Sequence, residues 1–144
     1  MLKHTLSDYN EKSIFKFNTW GEMKGIIIAA GSSSRLRPLT ESIPKCMLKI
    51  GGKTIIEHTL ELFRNNGIRD ISVIIGYRKE KINVNDVTFF ENNNFWDNNI
   101  LHSLMHSRKK LEESISSKED IIISYSDIWY NDSVVKTLIE NKNK

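Results

Sequence analysis

Short runs of bulky apolar residues alternate along this chain with longer stretches in which apolar residues recur every third or fourth position. The first kind suits a strand buried on both faces, the second an amphipathic helix. Residues 25–30, with Ile26-Ile27-Ile28, are predicted as the first strand. Residues 54–66 read as a helix: Ile56, Leu60 and Phe63 share a face, Thr54 and Glu57 spell a capping box, and Gly67 stands at the C-cap. Residues 71–75 and 121–125 are predicted as further buried strands, and the more alternating 84–90 as an edge strand. Residues 99–113 carry Ile100, Leu101, Leu104, Met105 and Leu111 at helical spacing after the asparagine-rich loop 92–99, with the cap at Asn98 or Asn99. Asp132 is expected to cap a last helix bearing Val134, Val135, Leu138 and Ile139. Gly51-Gly52 reads as a hairpin-like turn ahead of Thr54.

Strand and helix alternating in this way predict an α/β fold, a Rossmann-like and mainly parallel sheet with crossover helices. The pattern begins at Met23. Residues 1–22 hold only a small cluster of Ile14, Phe15, Phe17 and Trp20 and no sustained period, so they read as an extension or linker, the tail of an upstream module, or a mis-assigned start. A sheet closing at 121–125 with one further helix would leave a flat apolar edge uncovered. Residues 23–144 are therefore expected to be the N-terminal portion of a domain incomplete at its C-terminus, prone to association and a possible homo-oligomer.

With 144 residues, 39% of them apolar, the chain is long enough for one core. The net charge of +3 comes from scattered rather than striped basic residues, which argues against nucleic acid or a membrane surface and leaves anionic small molecules. Cys46 is the only cysteine, so no internal disulfide forms. That count, with no apolar segment of membrane-spanning or signal-peptide kind, predicts a cytoplasmic protein. Asn131-Asp132-Ser133 has the glycosylation spelling and is read as an unmodified helix start.

The candidate chemistry sits directly after the first strand, in Gly31-Ser32-Ser33-Ser34-Arg35-Leu36-Arg37-Pro38-Leu39-Thr40 and then Pro44-Lys45. Small residues let backbone N–H groups approach an anion, which makes Ala29, Ala30, Gly31, Ser32 and Ser33 candidate nucleotide contacts. Arg35 can grip phosphate oxygens through two parallel hydrogen bonds, and Lys45 adds a point charge. Such a pair suits a triphosphate that gains negative charge as it is cleaved. Arg37 reads as readily as the partner of a surface carboxylate. Two other phosphate motifs fail: a Walker A loop ending at Gly52-Lys53-Thr54 needs glycine at position 47, where Met47 stands, and Ser33 and Ser34 replace the later glycines of the dinucleotide fingerprint.

Asp127 follows a strand predicted to be central, at the end where open α/β sheets bind ligands, and a carboxylate there can hold Mg²⁺; alternatively it starts a turn. Tyr77 and Trp96 are candidate aromatic faces for a substrate carrying a trimethylammonium group, or loop anchors. His102 and His106 share a helix face without a third ligand and read as surface or interface residues rather than a zinc site. Cys46 reads as a small apolar loop residue rather than an activated thiol.

Residues 29–40, then Pro44-Lys45-Cys46-Met47-Leu48, then Gly52-Lys53-Thr54-Ile55-Ile56-Glu57-His58, resemble in order the signature of the sugar-phosphate and choline-phosphate nucleotidyltransferases. The resemblance implies a domain of the nucleotide-diphospho-sugar transferase type. Such a domain moves a nucleotidyl group from an NTP to a phosphate monoester and releases pyrophosphate with Mg²⁺. It implies that Arg35 grips the β and γ phosphates, that Lys45 serves the reacting phosphates, and that Asp127 binds the metal. Ser126 departs from the usual glycine before that aspartate. Further strands and a second metal-binding carboxylate are implied beyond Lys144. Asn99-Ile100-Leu101-His102-Ser103-Leu104 stands where sugar enzymes usually carry a glycine-threonine-alanine loop and resembles instead the phosphocholine cytidylyltransferase branch. This implies CTP, a small acceptor such as phosphocholine, and Asn99 and Ser103 near the base or ribose. The alternatives are a sugar-1-phosphate nucleotidyltransferase and a non-catalytic nucleotide-binding fragment.

Overall fold

The computed structural model describes residues 23–96 and 99–141. The readings of residues 1–22 and of Asn98 as a cap lie outside the described residues. Along the chain come strand β1 (Lys24–Ala29), the short strands β2 (Lys49–Ile50) and β3 (Lys53–Thr54), helix α1 (Ile55–Asn65), β4 (Asp70–Ile75), β5 (Thr88–Glu91), α2 (Ile100–Met105), α3 (Arg108–Ser117), β6 (Ile121–Tyr125) and α4 (Asp132–Glu140). Single 3₁₀ turns cover Ser34–Leu36, Lys45–Met47 and Lys79–Lys81. The long strands form one parallel sheet in the order β5-β4-β1-β6, as the alternation of elements predicts.

Alternation along β1 divides the core. Ile27 and Ala29 join Ile56, Leu60, Phe63 and Val135 from α1 and α4, whereas Ile26 and Ile28 meet Leu104 and Leu111 from α2 and α3. Gly25 permits a close approach of helix to sheet, since a Cβ there would lie 2.7 Å from the Phe63 ring. Phe63 is fully buried, a gain of roughly 1.5–3 kcal/mol for a side chain of its kind. Helix α1 starts as expected: the Thr54 hydroxyl accepts from Glu57 N at 3.2 Å, and Thr54 N donates to the Glu57 carboxylate at 2.8 Å. Gly51 and Gly52, at φ +58° and +87°, turn β2 back onto β3 in the hairpin expected there.

Four expectations need correction. The helix predicted over 99–113 is two helices, broken at His106 and Ser107. Both N–H groups there reach carbonyls three residues back, at 3.1 and 2.9 Å, and the buried Ser107 hydroxyl bonds Leu104 O at 2.7 Å, competing with the helical ladder. In 84–90, Asp86 turns the chain at φ +56°, so only Thr88–Glu91 pairs with β4 while Val84 and Val87 pack on the core as loop residues. The strand at 121–125 is neither central nor fully buried: it is the sheet edge among the described residues, with Ile123 44% exposed. Asp132 is the first residue of α4 rather than its cap. Asn131 holds the cap position, and the Asp132 carboxylate accepts from Asn66 Nδ2 at 2.6 Å and pairs with Lys136. No helix among the described residues is long and apolar enough to cross a membrane.

Candidate active site

The carboxyl ends of β1 and β6 open into a cleft of about 450 Å³. Its floor is the loop after β1. Ser33 adopts a left-handed conformation, φ +54° and ψ +27°, unusual for a residue with a side chain. Two bonds hold it there: Leu36 N donates to Ser33 O at 3.1 Å, and the hydroxyl of the fully buried Thr40 donates to the same oxygen at 2.7 Å. Among the described residues no backbone carbonyl takes the N–H groups of Ser32, Ser33 or Ser34. Space beside Gly31 is open, since a Cβ built there would meet nothing within 4 Å. Arg35 lines the cleft and has no ion pair among the described residues.

Lys45 stands at the start of its 3₁₀ turn, which leads through Leu48 to α1 by the bond from Ile55 N to Leu48 O at 3.1 Å. Asp127 follows β6, whose register carries on past the strand with Ser126 N donating to Ile28 O at 3.1 Å. These two supports bring Lys45 Nζ to 2.8 Å from Asp127 Oδ2. Arg35 and Lys45 against Asp127 are the charged groups of the lining, an excess of one positive charge. Cys46 lies buried beside Lys45, and burial pushes its thiol up to about 12, which makes it unreactive as a nucleophile.

The opposite wall comes from Phe95, Trp96 and the start of α2. Trp96 is exposed and tilts against Phe95 at 4.8 Å. Asn99 caps α2, its Oδ1 accepting from His102 N at 3.0 Å, and Ser103 Oγ accepts from Asn92 Nδ2 at 3.0 Å. Tyr77 and Ala30 do not line the cleft. Tyr77 is buried, its hydroxyl shared between the carbonyls of Thr40 at 3.0 Å and Glu41 at 2.9 Å, so it anchors the loop rather than offering a ring to substrate. Ala30 lies beneath, its carbonyl accepting from Tyr77 N at 3.0 Å. Arg37 also lies outside the lining.

Sequence reasoning missed Thr40, Asn92 and Gly76. Asn92 is fully buried and its amide holds Ser103, while a Cβ at Gly76 would lie 2.8 Å from Ala30 O and 3.0 Å from the Phe95 ring. Gly76, following a buried strand, was the one legible signal of a close approach. His102 and His106 face each other edge-on at 5.5 Å, and among the described residues no three His, Cys, Asp or Glu side chains gather as a preformed metal cage.

The sequence profile described as Nucleotidyl transferase matches residues 24–144. The chain belongs to that family. A CTP:phosphoglutamine cytidylyltransferase of Campylobacter jejuni is 38% identical to this chain, over 85% of the chain and 50% of the relative. A choline-phosphate cytidylyltransferase of Streptococcus pneumoniae is 38% identical over 64% of the chain and 42% of the relative. The chain thus spans about half the length of these relatives or less. The solved structure of a CTP:phosphocholine cytidylyltransferase from Streptococcus pneumoniae superposes with a TM-score of 0.60 at 37% identity, covering 62% of this chain and 41% of that one. A Bacillus anthracis structure described as a glucose-1-phosphate thymidylyltransferase gives 0.62 at 25% identity, covering 83% and 51%. These neighbours put the sheet in the nucleotide-diphospho-sugar transferase fold.

Proposed function

We propose that this chain supplies the nucleotide site of a cytoplasmic cytidylyltransferase that transfers CMP from CTP to a small phosphorylated compound such as phosphocholine. The observation that carries this reading is the convergence of residues 31–36, Lys45 and Asp127 in one cleft. An oxygen of the acceptor phosphate attacks the α-phosphorus of CTP, the bond to the bridging oxygen breaks, and the electron pair leaves with pyrophosphate. Arg35 grips the β and γ phosphates, the backbone donors of Ser32 to Ser34 add hydrogen bonds, and Lys45 offsets the charge gathering on the leaving group. Asn99 and Ser103 face the base or ribose, and the exposed Trp96 ring receives the acceptor's cationic end.

Asp127 fits Mg²⁺, which is commonly bound through one or two carboxylates together with substrate phosphates rather than by an all-protein cage. Bound there, Mg²⁺ supplies Lewis-acid neutralisation of phosphate charge. The choice of CTP is supported by the likeness to the Campylobacter and pneumococcal cytidylyltransferases. A sugar 1-phosphate as acceptor is the second reading, supported by the likeness to the Bacillus structure, which covers 83% of this chain.

A screen of pyrophosphate release, run beside equilibrium CTP binding with Mg²⁺, tests both readings. Release is expected to be fastest with CTP and phosphocholine or phosphoglutamine. Faster release with UTP or dTTP and glucose 1-phosphate would move the chain to the second reading. CTP binding without turnover in any extended form would make it a nucleotide-binding fragment.

A further inference from the structure

The loop carrying Asp127 is gripped from behind by one side chain of α1. His58 stacks its imidazole on Trp129, with ring centroids 3.8 Å apart and planes 6° from parallel. The same ring's Nε2 lies 2.8 Å from the Tyr130 carbonyl oxygen. A carbonyl only accepts, so Nε2 carries a proton and donates it. The Tyr130 hydroxyl is 2.9 Å from Ser124 Oγ, which ties the far end of the loop back to β6. Tyr130 packs partly buried on the core, whereas Ile128 is 46% and Trp129 41% exposed, so apolar burial holds only one end of this segment. The stack of His58 on Trp129 and its bond to the Tyr130 carbonyl hold the exposed middle of the loop, beside the tie from the Tyr130 hydroxyl to β6. Through Leu48, α1 also supports Lys45.

We infer that His58 is a positioning residue for Asp127: by clamping Trp129 and Tyr130 it sets the carboxylate opposite Lys45, where Mg²⁺ and nucleotide phosphate are to meet. This rests on the cytidylyltransferase reading of the cleft. His58 itself does not line the cleft.

Three variants separate the two contacts: His58→Ala removes both, His58→Gln keeps an N–H for the Tyr130 carbonyl, and His58→Phe keeps a flat ring for Trp129. Two readouts on the intact chain are needed, CTP affinity with and without Mg²⁺ and amide hydrogen exchange of the free protein. His58→Ala is expected to lower the Mg²⁺-supported affinity roughly tenfold, as loss of an outer-shell partner does. It is also expected to speed exchange across residues 127–131 and to leave the Mg²⁺-free affinity, carried by Arg35 and residues 31–36, unchanged. The Gln and Phe variants should each recover part of both effects. A folded His58→Ala chain with the wild-type Mg²⁺ increment overturns the inference. Should that variant not fold, wild-type exchange and increment in both other variants overturn it. Absence of any Mg²⁺ increment in the wild type instead overturns the cytidylyltransferase reading, and the inference falls with it.

Discussion

Lys45 and Asp127 are 82 positions apart in the chain and 2.8 Å apart in space, Nζ to Oδ2, at the mouth of one cleft. Their side chains keep 32% and 43% of their exposure. An ion pair so wet contributes roughly 0–1 kcal/mol, because water screens it and two side chains must be ordered to make it. Stability does not account for this placement. Charge does, since Arg35 has no ion pair among the described residues and the lining attracts an anion more strongly charged than Asp127.

The two roles of this pair should separate in a double-mutant cycle. Lys45→Ala and Asp127→Asn are each expected to lower Mg²⁺-CTP affinity about tenfold or more, the worth of a charged contact of roughly 1.5–3 kcal/mol. Their coupling in thermal unfolding should stay under about 1 kcal/mol. Titration calorimetry and unfolding on the same preparations decide it; a large loss of stability with wild-type affinity would reverse the assignment.

Arg35 should distinguish charge from geometry. Arg35→Ala is expected to weaken CTP binding about tenfold, and Arg35→Lys, which keeps the charge without the planar fork, to fall between that variant and the wild type. Equal affinity of all three proteins for CTP would mean that the guanidinium points to solvent when nucleotide is bound.

Local chemistry was legible in the sequence and distant partnership was not. The Thr54–Glu57 capping box and the Gly51-Gly52 turn depend on neighbours a few positions away, and both stand as expected. Thr40 and Asn92 are polar loop residues that composition assigns to the surface, yet both are fully buried because their partners, Ser33 and Ser103, arrive from other segments. Tyr77 was an aromatic residue of the right kind, but its hydroxyl found carbonyls below the cleft. Helical spacing ran on through Ser107 because the hydroxyl that breaks the helix leaves no mark on periodicity. An apolar run predicts a strand such as β6 without stating how many neighbours it has.

Acid should reveal the capping box. The Thr54 hydroxyl, donating to Glu57 at 2.7 Å, and the Thr54 backbone N–H hold the Glu57 carboxyl below the usual carboxylate range. A carboxyl depressed on folding stabilises the protein above its unfolded value, roughly pH 4.3, and loses that contribution as pH falls through its folded value. The gap in thermal midpoint between wild type and Glu57→Gln should therefore be constant above about pH 5.5 and shrink in more acid buffer. Thr54→Ala should cost about 0.5–2 kcal/mol at neutral pH. A gap that widens on acidification would contradict this sign.

The Cys46 thiol, pushed up to about 12 by burial, should stay protonated and unreactive toward a disulfide reagent at pH 8 in the native chain. It should react fully on unfolding. Rapid native-state labelling would show that the 3₁₀ turn bearing Lys45 opens readily.

The outer side of β6 should drive self-association. Lys24 N donates to Asp120 O at 2.9 Å and Ser126 N to Ile28 O at 3.1 Å, so even-numbered positions turn their backbone toward β1. By the alternation of a parallel ladder, Ile121, Ile123 and Tyr125 turn their N–H and C=O groups away. Ile123, Val134 and Leu138 are exposed on this strand and on the helix that follows. The Tyr125 carbonyl takes the Ser124 hydroxyl at 3.1 Å, but outward-facing strand backbone beside apolar side chains is a template for another strand, and a lysine on such an edge opposes pairing. Ile123→Lys is therefore expected to shift the chain toward monomer in sedimentation velocity at about 100 µM, a range in which exposed edges associate. Because Ile123 is absent from the cleft lining, Mg²⁺-CTP affinity should not change. A wild-type chain that sediments as a monomer at that concentration would show that β6 is protected by its own twist and side chains, and the edge would lose its standing as an association site.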